Sequence, residues 1–156
     1  SSAASSDYPL RDVYRRQADN LGIFGAHGVF AANYWPMWSE YPFVQGAFKM
    51  YRDYDGNQST FGDISLATTS SDIAKVAAYV SRDSSNPNRL VLVVINRSFT
   101  AEDVSFHGLA AGGNAKVYRM ETNKSSPVFV GQVPVNLSNW VISLPALSVS
   151  TIEITP

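Results

Sequence analysis

No cysteine occurs in the 156-residue chain, which removes disulfides, thiol catalysis and cysteine-ligated zinc together. Charge is sparse as well. Only 16% of the residues are Asp, Glu, Lys or Arg, and twelve basic against thirteen acidic residues leave a net charge of −1. No cationic surplus exists to displace counterions from phosphates, so nucleic acid is excluded as a partner. Long apolar runs are also missing. The longest is Leu90 to Ile95, far short of the ~20 residues that cross a bilayer, so no membrane partner is expected. Ser1 to Ser6 have neither the basic nor the apolar region of a signal peptide.

Several reaction chemistries lack their residues. No Gly-x-Ser-x-Gly occurs, and the two histidines, His27 and His107, have no acidic residue or second histidine at a telling spacing. They read as loop and turn residues. Gly22, Gly25 and Gly28 recur by threes behind a helix pattern, which is not a dinucleotide fingerprint. The four glutamates are Glu40, Glu102, Glu121 and Glu153. A retaining glycosidase needs two carboxyls about 5–5.5 Å apart, and glutamates scattered in this way supply no such pair. Asp53, Asp55 and Asn57 alternate like part of a calcium loop without its closing glutamate. A structural calcium ion is compatible with them, a solvated turn reads better, and no cofactor is expected.

What is present falls into two compositions. Two of the three Trp and six of the eight Tyr lie between Asp7 and Gly56. From Gly62 onward Val, Ile, Ser and Thr dominate, cut at short intervals by Gly, Asn and Pro. Asp7 can cap a helix in which Leu10, Val13, Tyr14, Gln17 and Leu21 form one stripe beside solvated Arg11, Arg15, Arg16 and Asp19. Gly22 or Gly25 would end it. Val29 to Trp35 is an apolar run without alternation, as in a parallel strand buried on both faces, and Pro36 stops it. A second helix is expected over Phe43 to Tyr51. The remainder offers strands at Asp63–Thr69, Ile73–Arg82, Arg89–Asn96, Asp103–His107, Lys116–Glu121, Val128–Val130, Trp140–Leu144 and Val149–Ile154, with turns at Asn86–Asn88 and Ala111–Asn114. Leu90, Leu92, Val94, Val117, Ile142, Val149 and Ile152 are expected between two sheets, alternating with outward neighbours.

The fold class read from this is mainly β: a C-terminal β-sandwich at residues 57–156, preceded at 1–56 by an α-β-α piece. The most informative stretch is the aromatic cluster of Tyr34, Trp35, Trp38, Tyr41 and Phe43 at the end of the expected parallel strand. Such rings can stack on sugar faces where strands end, or cement two subdomains; composition does not choose.

Longer motifs carry a resemblance. Ala18 to Gly25 (ADNLGIFG), Gly28 to Pro36 (GVFAANYWP), Ala47 to Gly56 (AFKMYRDYDG), Phe61-Gly62-Asp63 and the ending Leu144 to Ile152 (LPALSVSTI) resemble the C-terminal part of glycoside hydrolase family 44. The resemblance implies endo-β-1,4-glucanases acting on cellulose, xyloglucan or xylan, built as a (β/α)8 barrel with a β-sandwich. It makes residues 1–56 the last barrel unit, with Val29–Trp35 as the eighth strand. Trp35, Tyr34 and Trp38 would then be substrate-binding residues, Trp35 flooring the subsite of the scissile sugar. It further implies a β-glucan partner, a barrel portion outside this chain as second partner, and a secreted bacterial-type enzyme. The family's two glutamates sit in Asn-Glu and Thr-Glu-Tyr contexts that do not occur here, so no catalytic residue is assigned and the chain alone is expected to be inactive. The competing expectations are a non-catalytic carbohydrate-binding sandwich gripping glucan through exposed aromatics such as Trp140, and a purely structural interaction domain.

Overall fold

The computed structural model describes residues 8–29, 31–33, 41–109, 112–138 and 140–156. Two helices, α1 (Tyr8–Ala26) and α2 (Tyr41–Arg52), precede eight strands: β1 (Ile64–Leu66), β2 (Val76–Arg82), β3 (Leu90–Asn96), β4 (Glu102–Phe106), β5 (Gly113–Met120), β6 (Val128–Val135), β7 (Trp140–Leu144) and β8 (Ser148–Thr155). All eight expected strands are present. The first sheet has the order β1-β2-β3-β8-β5-β6, and the second pairs β4 with β7. The Asn86–Asn88 turn closes the β2–β3 hairpin, with the Arg89 N–H on the Asn86 carbonyl at 3.0 Å. β6 runs on through Pro134, which an edge strand tolerates because its missing N–H would face away from the ladder. The fold is mainly β, as the sequence implies.

Period two sorts the core into two layers. On one face Val80, Leu90, Leu92, Val94, Val117, Ile152 and Ile154 meet Trp140, Ile142 and Leu144 of β7. On the other, Ala77, Val93, Ile95, Met120 and Val149 meet Tyr14, Ala18, Ala47, Met50 and Tyr51 of the helices. Two expectations are corrected here. Val149 lies under the helices instead of between the sheets, because it and Ile152 are an odd number of residues apart and must face opposite ways. The neighbours of Leu90, Leu92 and Val94 do not face outward either. Val93 and Ile95 are buried under the helices, and Val91 is buried against Tyr54 and Tyr118.

The helical part carries further corrections. α1 passes through Gly22 and Gly25 and stops only after Ala26. Gly28, at φ +66°, is the left-handed residue: its N–H reaches the Gly25 carbonyl at 3.3 Å and the Val29 N–H reaches that of Phe24 at 2.9 Å. These are the two bonds of a Schellman ending. Gly22 is needed for another reason, since a Cβ there would sit 2.3 Å from the Tyr79 ring. Arg15 is buried, not solvated, and paired with Asp12. Asp19 is half-buried, because that side of α1 packs against the end of β3. The expected buried strand at Val29–Trp35 is not seen in its described residues. Val29 and Ala31 to Asn33 are exposed and outside any strand. A parallel strand needs parallel neighbours, and every ladder among the described residues is antiparallel. Gly113 and Asn114 belong to β5, not to a turn, and a Cβ on Gly113 would strike the Thr155 carbonyl oxygen at 2.0 Å.

Two stability outcomes follow from this packing. Leu92 is fully buried between the sheets, so Leu92→Ala should cost ~2–5 kcal/mol in urea unfolding; a loss below ~1 kcal/mol would contradict the packing. The glycines of α1 should respond with opposite signs. Gly25→Ala meets nothing within 4 Å and should stabilise by up to ~1 kcal/mol through helix propensity. Gly22→Ala should destabilise by ~1–3 kcal/mol, because the Tyr79 ring overpacks it.

Candidate functional site

The residues singled out for substrate binding, Tyr34, Trp35 and Trp38, lie outside the described residues, as does Glu40. Their flanks are described. The Schellman ending delivers the chain into an exposed stretch at Val29 and Ala31–Asn33, and α2 resumes at Tyr41. The candidate segment therefore springs from the C-terminus of one packed helix and ends at the N-terminus of another. The helices are tied together by the buried Tyr51 hydroxyl, which donates to the Ala18 carbonyl at 2.8 Å. They are tied to the sheet by the Thr151 hydroxyl on the Met50 carbonyl at 2.7 Å and by the Tyr14 hydroxyl on Leu147.

Most of the described carboxylates have structural work. Asp83 and Glu153 both hold Arg89, at 2.8 and 2.9 Å. The same guanidinium reaches the Tyr54 oxygen at 2.5 Å and the Thr60 carbonyl at 2.9 Å. Asp63 accepts from the Ser84 hydroxyl and, at 2.8 Å, from the Ser84 N–H, and these bonds hold its carboxyl below the usual range. Asp55 accepts the N–H groups of Asn57 and Ser59 and the Ser59 hydroxyl, while Asp53 accepts the N–H of Gln58. In this loop Gly56 and Gln58 adopt φ values of +75° and +66°. The Asp53–Asn57 stretch is thus a self-bonded turn, and no group of three metal-ligating side chains occurs among the described residues. Asp19 takes the Tyr79 hydroxyl at 2.5 Å and the Arg97 guanidinium. Asp12 takes Arg15 and, at 3.1 Å, Arg16. His27 and His107 are exposed.

Trp140 is not a surface platform. It is 4% exposed and packs on Phe106 with ring centroids 4.9 Å apart, tilted by 38°. The expectation that it grips glucan from outside is overturned, because β7 turns Trp140, Ile142 and Leu144 inward and Val141 and Ser143 outward. Sequence reading placed the ring on the right strand but could not choose its face.

Two concavities open among the described residues. The larger, about 830 Å³, lies where the two-stranded sheet leaves the β1–β2 side of the larger sheet uncovered, between Ala78 and Val80 on one side and Val104 and Phe106 on the other. The smaller, about 470 Å³, is bounded by Asp12, Arg15, Arg16 and Asp19 of α1 and by Arg97 and Phe99 after β3. Sequence reading missed it; Arg15, Arg16 and Arg97 are brought together only by docking of α1 on the sheet.

Two helices docked on an antiparallel sandwich are a fold shared by solved polysaccharide-degrading glucanases. No family model matches the sequence. Endoglucanase A of Paenibacillus lautus is 43% identical over 82 residues, 53% of this chain and 12% of that protein. The solved xyloglucanase of Paenibacillus polymyxa, from glycoside hydrolase family 44, is 32% identical with a TM-score of 0.83 over 89% of this chain. The family 44 endoglucanase structure from Clostridium acetobutylicum gives 30% identity and the same TM-score and coverage. The family that the chain resembles, in sequence and fold alike, is therefore glycoside hydrolase family 44. The chain spans only 28% of those solved proteins. The relatives are bacterial, and no described helix is long and apolar enough to cross a membrane.

The buried hydroxyls tying helices to sheet make a pH prediction. Burial pushes the Tyr14 pKa up to about 12, and burial likewise raises Tyr51 and Tyr79. The unfolded value is ~10, so these groups stabilise the fold fully below that pH. Their contribution is lost as pH climbs toward about 12. In an alkaline titration followed by tyrosinate absorbance and circular dichroism, part of the tyrosine signal should appear only together with unfolding. Tyr14→Phe should lower stability at neutral pH and shrink the loss on the alkaline side. Full ionisation of a still-folded chain near pH ~10 would contradict this.

Proposed function

We propose that the chain is the C-terminal portion of a secreted, retaining endo-β-1,4-glucanase acting on cellulose-, xyloglucan- or xylan-type chains. The observation that carries this reading is the 30–32% identity to family 44 enzymes over 89% of the chain. One of those neighbours was solved with xyloglucan. Residues 1–56 are read as the last helix–strand–helix unit of a (β/α)8 barrel and 57–156 as the accompanying sandwich. The partner of this unit is the rest of the barrel, whose parallel strands would flank Val29–Trp35. In support, that run is apolar in sequence, yet its described residues are exposed here. An unpaired apolar strand lacks the neighbours that would bury it.

In this reading the two catalytic carboxyls stand on earlier barrel strands. Asp83 and Glu153 share the Arg89 guanidinium, at 2.8 and 2.9 Å, and so serve as its structural partners. This chain contributes Tyr34, Trp35 and Trp38. Trp35 closes the last strand just before Pro36, where its ring would lie beneath the sugar being cleaved, excluding water and holding it for attack.

Reducing-sugar assays of the isolated chain on xyloglucan or carboxymethylcellulose should stay at background. Turnover that disappears when a single carboxylate of this chain is replaced would refute the placement of the acids elsewhere. In the full-length enzyme, Trp35→Ala should lower kcat/KM at least roughly tenfold, about 1.4 kcal/mol of transition-state stabilisation, with melting temperature little changed. A melting temperature reduced by many degrees with kcat/KM of the folded fraction unaltered would make Trp35 a packing residue instead.

A further inference from the structure

The cleft of about 470 Å³ between α1 and the segment after β3 combines features that the sandwich core does not require. Phe99 stands at its edge, 74% exposed. The ring shares one concavity with three guanidiniums instead of standing alone on the surface, where an exposed apolar side chain would need no explanation. Arg16 also reaches outward, its side chain 78% exposed, while it shares Asp12 with Arg15. Arg15 is buried, and its Nε has no hydrogen-bond partner, the single such buried side-chain atom among the described residues. An unpaired buried donor is costly unless a further group completes it. The volume falls within the ~300–1,000 Å³ of small-molecule sites.

The signs of charge in the lining select the ligand. Three guanidiniums offer donors that accept nothing, and the carboxylates of Asp12 and Asp19 accept without donating. An anion would satisfy the first set and be repelled by the second. A cation would meet the reverse. A neutral ligand whose adjacent hydroxyls both donate and accept satisfies both at once. An exposed aromatic ring at the edge of the same cleft suits the C–H face of a pyranose.

We propose that this cleft is a second saccharide subsite, remote in sequence from the Trp35 segment, which takes a β-linked gluco-oligosaccharide. Phe99 stacks on one sugar, while Asp12 and Arg16 bridge neighbouring hydroxyls. Arg15 and Asp19 are positioning residues, the first holding Asp12 and the second holding Arg97. The choice of a glucan as occupant rests on the glucanase reading above. Such a subsite would hold polymer on the flank of the enzyme without taking part in bond cleavage.

The test is a two-dimensional amide NMR titration of the 156-residue chain with cellohexaose, and separately with sodium sulfate and sodium citrate. Cellohexaose should shift the amides around Asp12 to Asp19 and Arg97 to Phe99 in a saturable way. Phe99→Ala and Arg16→Ala should each weaken that binding several-fold to tenfold with melting temperature unchanged, because both side chains are exposed. Shifts that avoid these amides, binding that survives Phe99→Ala, no saturable shift at all, or stronger shifts with sulfate or citrate would each overturn the proposal. The two readings fail separately. A full-length enzyme sensitive to Trp35→Ala beside a 156-residue chain silent in this titration loses only the subsite, whereas a saturable response at these amides beside a Trp35-insensitive enzyme loses only the assigned floor.

Discussion

β3 is the strand on which the rest of this structure depends. All its residues are buried, and it pairs with β2 on one edge and β8 on the other. Leu90, Leu92 and Val94 fill the layer between the sheets, while Val93 and Ile95 fill the layer under the helices. One strand therefore joins two hydrophobic cores. A slip of one residue along it would exchange the contents of both layers at once. Burial of some 25 cal/mol per Å² of apolar surface supplies the driving force. The register comes from having both faces covered.

Polar ties convert that hydrophobic layering into one arrangement. Asn96 closes β3 by donating to the Leu144 and Pro145 carbonyls at 3.1 and 2.9 Å and by accepting the Ser98 N–H at 2.8 Å. It fastens the end of one sheet to the turn that leaves the other. In that turn Leu147 stands at φ +54°, unusual for a residue with a side chain. Its N–H donates to Ser98 and its carbonyl accepts from Tyr14. Arg89 does the corresponding work at the opposite end of β3, binding Asp83, Glu153, Tyr54 and Thr60. Such buried polar groups add modestly to stability while bonded, but each is costly to orphan.

The functional reading follows from what this framework leaves open. The helices are fastened to each other and to the sheet by buried hydroxyls, and in the proposed function the aromatic residues between them in sequence meet the substrate. Scaffolds of this kind place binding groups on connections between well-packed elements, where side chains are free to meet a ligand. Among the described residues, several carboxylates on and beside the sheet already serve structural bonds. Asp83 and Glu153 are committed to Arg89, and Asp19 to Tyr79 and Arg97.

Local chemistry in the sequence determined the eight strands, both helices and the β2–β3 turn. Alternating Val and Ile, apolar residues at helical spacing and Asn-Pro-Asn act over a few residues and need no distant partner. It likewise determined that no thiol is present, because the chain has no cysteine. Tertiary structure alone decided which face each side chain took. Trp140, read as an exposed platform in one of the competing expectations, proves to be core once Phe106 is seen against it. Val149 reads as sandwich core until the strand's parity is set, and Arg15 as solvated until α1 docks. Val29 to Trp35 read as a buried strand from an apolar run without alternation, but pairing depends on neighbours contributed from elsewhere in a fold. Burial and pairing are properties of two surfaces in contact, and a sequence window contains only one of them.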